Sequence, residues 1–293
     1  MIYDVAHLTT YRYDAPVASA RCTLRLLPRS DCGQRVLSSR IDLSPSADNL
    51  LERIDFNGNR IREAQFVKPH TKLQIALHAR VEVERRPPPA GALTPAWEAV
   101  RSAAPQSNSL SPRSPAHFIY PSRFAPLTEP VTDYALQSFP AGRPILEGAT
   151  ELMRRIRADF VYDPEATQIA TPMAQAFQRR RGVCQDFAHI MIAGLRGAGL
   201  PAAYVSGYLR TIPAPGKPRL EGADATHAWV SVWCGKEFGW FDLDPTNALV
   251  VGNDHIVIAL GRDYADVSPI DGVILAAGGQ DLDVSVDVKE VVG

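Results

Sequence analysis

The spacing of apolar residues changes twice along the chain. Over residues 1–85 they fall in short runs at 17–27, 36–43, 51–56, 61–67 and 73–83. These runs are rich in alternating and β-branched residues and read as strands. Turn chemistry separates them at Asp31-Cys32-Gly33, at 44–49 and at Asn57-Gly58-Asn59. Asn57-Gly58 is the strongest signal, because both residues tolerate the positive φ of a tight hairpin turn. Strands at this spacing predict an antiparallel β-sandwich. His7, Tyr11, Tyr13, Arg25 and Arg29 are read here as packing and surface residues.

From 86 to 130 the pattern dissolves into proline and serine. Trp97, Phe118, Ile119 and Tyr120 are anchors that a free linker seldom carries, so this stretch is a linker or a strap across the second domain. A helical period then takes over. The run 131–139 is short, and 144–160 carries Ile145, Leu146, Ala149, Leu152, Met153 and Ile156 on one face. Thr171-Pro172 opens a helix that runs to Arg181 and is broken by Gly182. Another starts at Cys184, with Phe187, Ile190, Met191 and Leu195 as its stripe, and stops at 197–199. Strands return at 203–209, 227–233, 239–244 and 256–260, with 272–277 and 284–291 as further candidates. The order predicts an α+β chain: a sandwich over 1–85, the strap over 86–130, and helices packed on an antiparallel sheet over 131–293.

The 293 residues carry 31 basic and 32 acidic side chains, so neither nucleic acid nor an anionic membrane is expected as a partner. No apolar run approaches the length of a membrane span, and the first residues lack the basic start and apolar block of a secretory signal. The four cysteines, Cys22, Cys32, Cys184 and Cys234, have no paired zinc spacing. We therefore expect a reduced, cytoplasmic protein with no metal and no cofactor, although the spacing leaves a Cys22–Cys32 disulfide open.

The chemistry is concentrated at Cys184. At a helix start, free N–H groups and the helix dipole both favour thiolate, the reactive form of cysteine. A lone cysteine there is more often a small buried apolar residue, so a second stretch must decide. That stretch is the pair of strands 226–233 and 239–246. Folded as a hairpin over 234–237, they oppose Trp233 to Phe238, Ser231 to Trp240, Trp229 to Asp242 and His227 to Asp244. Opposed Cβ atoms lie about 5 Å apart, which suits a carboxylate holding an imidazole. A thiolate, an imidazole and an orienting group are what nucleophilic cysteine chemistry needs. Trp229 is read as apolar cover over that pair, or equally as core. A zinc site from Asp186, His189 and His227 is the minority alternative.

Gly182-Val183-Cys184-Gln185-Asp186-Phe187-Ala188-His189, then His227-Ala228-Trp229-Val230, then Asp244-Pro245-Thr246-Asn247 resemble the three core blocks of the bacterial transglutaminase-like superfamily. Tyr11-Arg12-Tyr13 and Asn57-Gly58-Asn59 resemble the N-terminal β domain of one bacterial branch, and Gly261-Arg262-Asp263-Tyr264 another of its blocks. The resemblance implies a papain-like core in which Cys184 is the nucleophile, His227 the general base then acid, and Asp244 the orienting carboxylate. Gln185, Asp186, His189, Trp229 and Asp242 are read as candidate substrate-binding or supporting residues around them. The glutamine or tryptophan that some relatives place upstream for the oxyanion is missing just before Cys184. The Cys184 N–H is therefore one expected donor, and the second is unassigned. The expected activity is acyl transfer on a peptide or protein substrate through a thioester, with hydrolysis favoured over transamidation. A non-catalytic binding module is the third reading.

Overall fold

A computed structural model of the chain describes residues 1–211 and 225–291. The first region supplies β1 (Ile2–Val17), β2 (Ser19–Leu24), β3 (Gln34–Ser44), β4 (Asn49–Ile54), β5 (Arg60–Phe66) and β6 (His70–Val83). The middle and last regions supply α1 (Trp97–Ala103), α2 (Glu129–Leu136), α3 (Ile145–Asp159), β7 (Val161–Tyr162), α4 (Met173–Arg179), β8 (Arg181–Gly182), α5 (Cys184–Gly197), β9 (Ala202–Leu209), β10 (Ala225–Trp233), β11 (Trp240–Asp244), β12 (Leu249–Val250), β13 (His255–Gly261), α6 (Tyr264–Val267), β14 (Ile270–Leu275) and β15 (Gln280–Glu290). The chain is α+β, with antiparallel sheets and helices packed on one of them.

The sandwich is built from two sheets, ordered β15-β1-β6-β3 and β14-β2-β5-β4. Two features differ from the sequence expectation. First, β1 is a strand of 16 residues where the apolar pattern begins only at Val17. Its inward face is Tyr3, Val5, His7 and Thr9, all buried, and the two polar members hide the alternation. They are satisfied by each other and by the core: His7 bonds Thr9 Oγ1 through Nε2 and Tyr208 Oη through Nδ1, both at 2.9 Å. Second, β14 and β15 belong to the sandwich, not to the sheet that carries His227. The stretch 131–293 is therefore not one packing unit, since residues 270–290 return to pair with β2 and β1. Pairing partners far apart in sequence leave no local signal of which sheet a strand joins.

The other large sheet has the order β12-β11-β10-β9-β13, and α5 packs across β9 and β10. Residues 86–130 lie against this unit. Trp97 donates to Pro140 O, Arg113 O accepts from Trp240, and the buried Arg196 donates to Tyr120 O and Ser122 Oγ. α4 ends because Arg180, not Gly182, leaves the helix: it takes φ 53° while its guanidinium lies 4.3 Å from the Phe177 ring centroid.

The outer edge of β13 would expose unpaired backbone groups. Side chains from the sandwich close it. Gln34 accepts from Val257 N and donates to Val257 O, each at 2.8 Å. Asn59 does the same for Leu260, also at 2.8 Å. The turn residue Asn59 is fully buried for this purpose, and Arg29, expected near the surface, is buried beside it, donating to Asn59 Oδ1 at 2.7 Å.

Candidate active site

Cys184 is the first residue of α5 and is half-buried, after an extended Val183. The local sequence explains the sharp start. Asp186 turns back to accept from Val183 N at 2.8 Å and from Thr167 Oγ1 at 2.6 Å, so its carboxylate anchors the helix start. Burial raises the Asp186 pKa, and these two bonds offset only part of the shift. A side chain at Gly182 would collide with that carboxylate, which is why glycine stands there. Gln185 reaches Ile169 O at 3.4 Å and takes no part in the cluster around His227.

His227, Asp244 and His255 meet at one end of the five-stranded sheet. The hairpin register differs from the expected one by two residues. Trp233 faces Trp240 and Ser231 faces Asp242, so Asp244 lies diagonal to His227 and not opposite it. The cause is the loop. Gly235 and Gly239 take φ 100° and 71°, and Cys234 N bonds Gly239 O at 2.7 Å, closing a longer loop than 234–237. A two-residue shift keeps every side chain on its face, so the carboxylate still reaches the ring. His227 Nε2 and Asp244 Oδ2 are 2.8 Å apart.

Cys184 also acts on this ring, favouring its protonated form. With Nε2 committed to Asp244, Nδ1 is the ring nitrogen left for the sulfur. Burial alone would lower the His227 pKa, but the bond to Asp244 and the influence of Cys184 outweigh it and carry it to about 10. Burial likewise works against the Asp244 carboxylate, yet bonds from His227, His255 and Asn247 hold it well below the usual range. Asn247 Nδ2 lies 2.8 Å from Oδ2, and Thr246 N and Asn247 N reach Oδ1 at 2.9 and 3.1 Å.

The remaining expected residues fall around this centre. Trp229 is fully buried, donates to Asp242 Oδ2 at 3.1 Å, and sets its ring edge-on to His255 with centroids 5.1 Å apart. His189 accepts from Tyr264 N at 3.2 Å and stacks on Phe124, and burial pushes its pKa down to about 3. Asp186, His189 and His227 therefore do not form a zinc site, the minority alternative from the sequence. Among the described residues His227, Asp244 and His255 are the one trio with ligand atoms close enough to share an ion, all within 4.8 Å. Their spacing is that of hydrogen bonds to Asp244 Oδ2, at 2.8 and 3.2 Å, so both ring nitrogens converge on that oxygen.

Two contributors were missed in the sequence. Asn247 stands in the Asp244-Pro245-Thr246-Asn247 block but carried no role. His255 sits one residue before the apolar run 256–260, and its polarity placed it outside the strand it begins.

Residues 3–82 match the model of the bacterial transglutaminase-like N-terminal region, and residues 135–245 that of the transglutaminase-like superfamily. An uncharacterised protein of Mycobacterium tuberculosis is 41% identical over 295 residues, which is 98% of this chain and 92% of that one. A protein-glutamine gamma-glutamyltransferase of Pseudomonas aeruginosa is 36% identical over 96 residues, 30% of this chain and 14% of that protein. A crystal structure of a candidate cysteine protease from Cytophaga hutchinsonii has TM-score 0.75 and 19% identity, covering 100% of this chain and 92% of that one. At that identity the likeness is one of fold. The chain belongs to the transglutaminase-like superfamily, in the branch that carries the bacterial N-terminal region.

Proposed function

We propose that the chain is a cysteine-dependent acyl-transfer enzyme with Cys184, His227 and Asp244 as its triad. The observation that carries this reading is the buried 2.8 Å contact between His227 and Asp244, with Cys184 at the start of α5, the helix packed on the strand that bears His227. The Cys184 sulfur attacks the carbonyl carbon of a peptide or carboxamide, and the carbonyl electrons move onto oxygen. The N–H of Cys184, at the free end of α5, faces that charge. Collapse of the tetrahedral species expels the amine, which takes its proton from the His227 imidazolium and leaves a thioester on sulfur. His227, now neutral, accepts a proton from the resolving nucleophile, and Asp244 keeps the ring oriented throughout.

Water as the resolving nucleophile makes the chain a peptidase or amidase, and an amine makes it a transamidase. We favour hydrolysis narrowly, because no motif in the sequence and no feature among the described residues marks a site for an amine donor. The second reading is supported by the Pseudomonas relative's name, over the 30% of this chain that it matches. The four cysteines are free, so the Cys22–Cys32 disulfide left open by the spacing is not formed. No helix among the described residues is long and apolar enough to cross a membrane.

A glutamine-containing peptide library in H₂¹⁸O, with and without a primary amine, tests the reading by mass spectrometry. Hydrolysis adds ¹⁸O to the acyl product, and transamidation adds the amine. Trapping of neither product nor a Cys184 thioester would leave the binding-module reading in its place.

A further inference from the structure

Asp244 is paired with Leu249 of β12 but lies past the last rung with β10. The last rung between β10 and β11 is Val230 opposite Leu243, so no rung with β10 fixes Asp244 beside His227. The direction of its carboxylate is set by donors. Thr246 N, Asn247 N and Asn247 Nδ2 come from the turn just after Asp244 itself. Besides His227 itself, one donor comes from elsewhere in the fold: His255 Nε2, 3.2 Å from Oδ2, at the first residue of β13.

An ionised carboxylate only accepts, so this contact requires the proton of His255 on Nε2. Nδ1 is buried and has no partner. A second proton there would be an unsatisfied buried donor on a buried cation, next to the His227 ring at 6.1 Å between centroids. Burial also opposes the charged form of His255, with Asp244 offsetting only part of it. His255 is thus built to give a hydrogen bond without adding a charge that would compete with His227 for Asp244.

We propose that His255 is a positioning residue: a neutral Nε2–H donor that holds Asp244 turned toward His227, and so acts on the Cys184 thiol through both. This rests on the triad reading of the site. It also gives the N-terminal sandwich a part in the site. Arg85 donates to His255 O, and Gln34 and Asn59 hold the outer edge of β13, so the sandwich sets where this ring stands.

The test uses the full chain and two readouts. The first is ¹⁵N NMR of the histidine rings in the unmutated protein, which reports the tautomer of His255 directly. A proton on Nε2 is expected, and a proton on Nδ1 alone overturns the proposal. The second is the rate of Cys184 alkylation by iodoacetamide near neutral pH, tracked by peptide mass spectrometry against Cys32 in the same molecule. His255→Leu removes the donor and is expected to slow Cys184 roughly tenfold or more, while His255→Gln keeps a neutral N–H at that position and recovers most of the rate. Labelling of the His255→Leu variant as fast as wild type overturns the proposal. So does glutamine labelling as slowly as leucine with both variants folded by circular dichroism, since packing and not the N–H would then matter. Failure of the triad reading looks different: wild-type Cys184 would label no faster than Cys32, whatever stands at 255.

Discussion

His227 and His189 are both buried, both packed among aromatic rings, and both on the elements that form the active-site unit. Their proton affinities diverge. His189 is pushed down to about 3 and His227 up to about 10. Burial acts in the same direction on each, against the imidazolium. What separates them is the partner within bonding distance: a backbone N–H of Tyr264 for His189, and the Asp244 carboxylate for His227. A buried histidine is therefore a structural acceptor or a proton carrier according to one neighbour.

The largest test of this difference removes the sulfur. Cys184→Ala should abolish acyl transfer, by on the order of 10⁴-fold or more, while leaving the fold intact. Retained turnover would move the chemistry elsewhere. Next comes Asp244→Asn, which keeps the size but replaces an acceptor with a group that can also donate. Turnover should fall by roughly 10³-fold, because the His227 ring loses its fixed tautomer. A loss below tenfold would mean that Asp244 does not make His227 differ from His189.

The sequence made one side of this comparison readable and left the other obscure. Cys184 could be placed because a helix start has a local signature: Gly182 before it and an apolar stripe after it. Asp244 could be matched to His227 despite a wrong register, since a two-residue slip preserves faces and a carboxylate reaches diagonally. The slip itself was invisible, because it depends on two glycines taking positive φ in a loop whose length has no strong local code. β1 was hidden by His7 and Thr9, buried polar residues whose partners lie in other strands or on the same face. His255 and the return of β14 and β15 depend on pairings across the whole chain, which no window of sequence contains. The role of His189 was ambiguous for the same reason, its bonding partner being 75 residues away.

The two histidines also predict opposite pH behaviour. The folded-state pKa of His227 is raised from 6.5 to about 10. Its stabilising contribution is therefore fully present below 6.5 and fades as pH rises toward 10. The imidazolium proposed to protonate the leaving amine is lost over the same upper range, so turnover should decline on an alkaline limb near pH 10. Asp244→Asn should move that limb downward. A limb near 6.5 in the wild-type enzyme, the value of an unpaired histidine, would contradict the pairing.

The smallest effect is expected at His189, and it sharpens the comparison from the other side. His189→Asn keeps an acceptor near Tyr264 N but gives up the ring stacked on Phe124, so activity should stay within about threefold. Stability near pH 8 should fall by about 1–2 kcal/mol from lost packing. On acidification the sign reverses. A histidine whose folded-state pKa is depressed gives its full stability above 6.5 and loses it as pH falls toward about 3. At pH 5 the wild-type protein therefore carries a penalty of about 2 kcal/mol that the asparagine variant lacks. Thermal melts of the two proteins should differ at pH 8 and converge near pH 5. Parallel curves across that range would mean that His189 binds its proton as an exposed histidine does, and the contrast with His227 would then rest on the carboxylate without any help from burial.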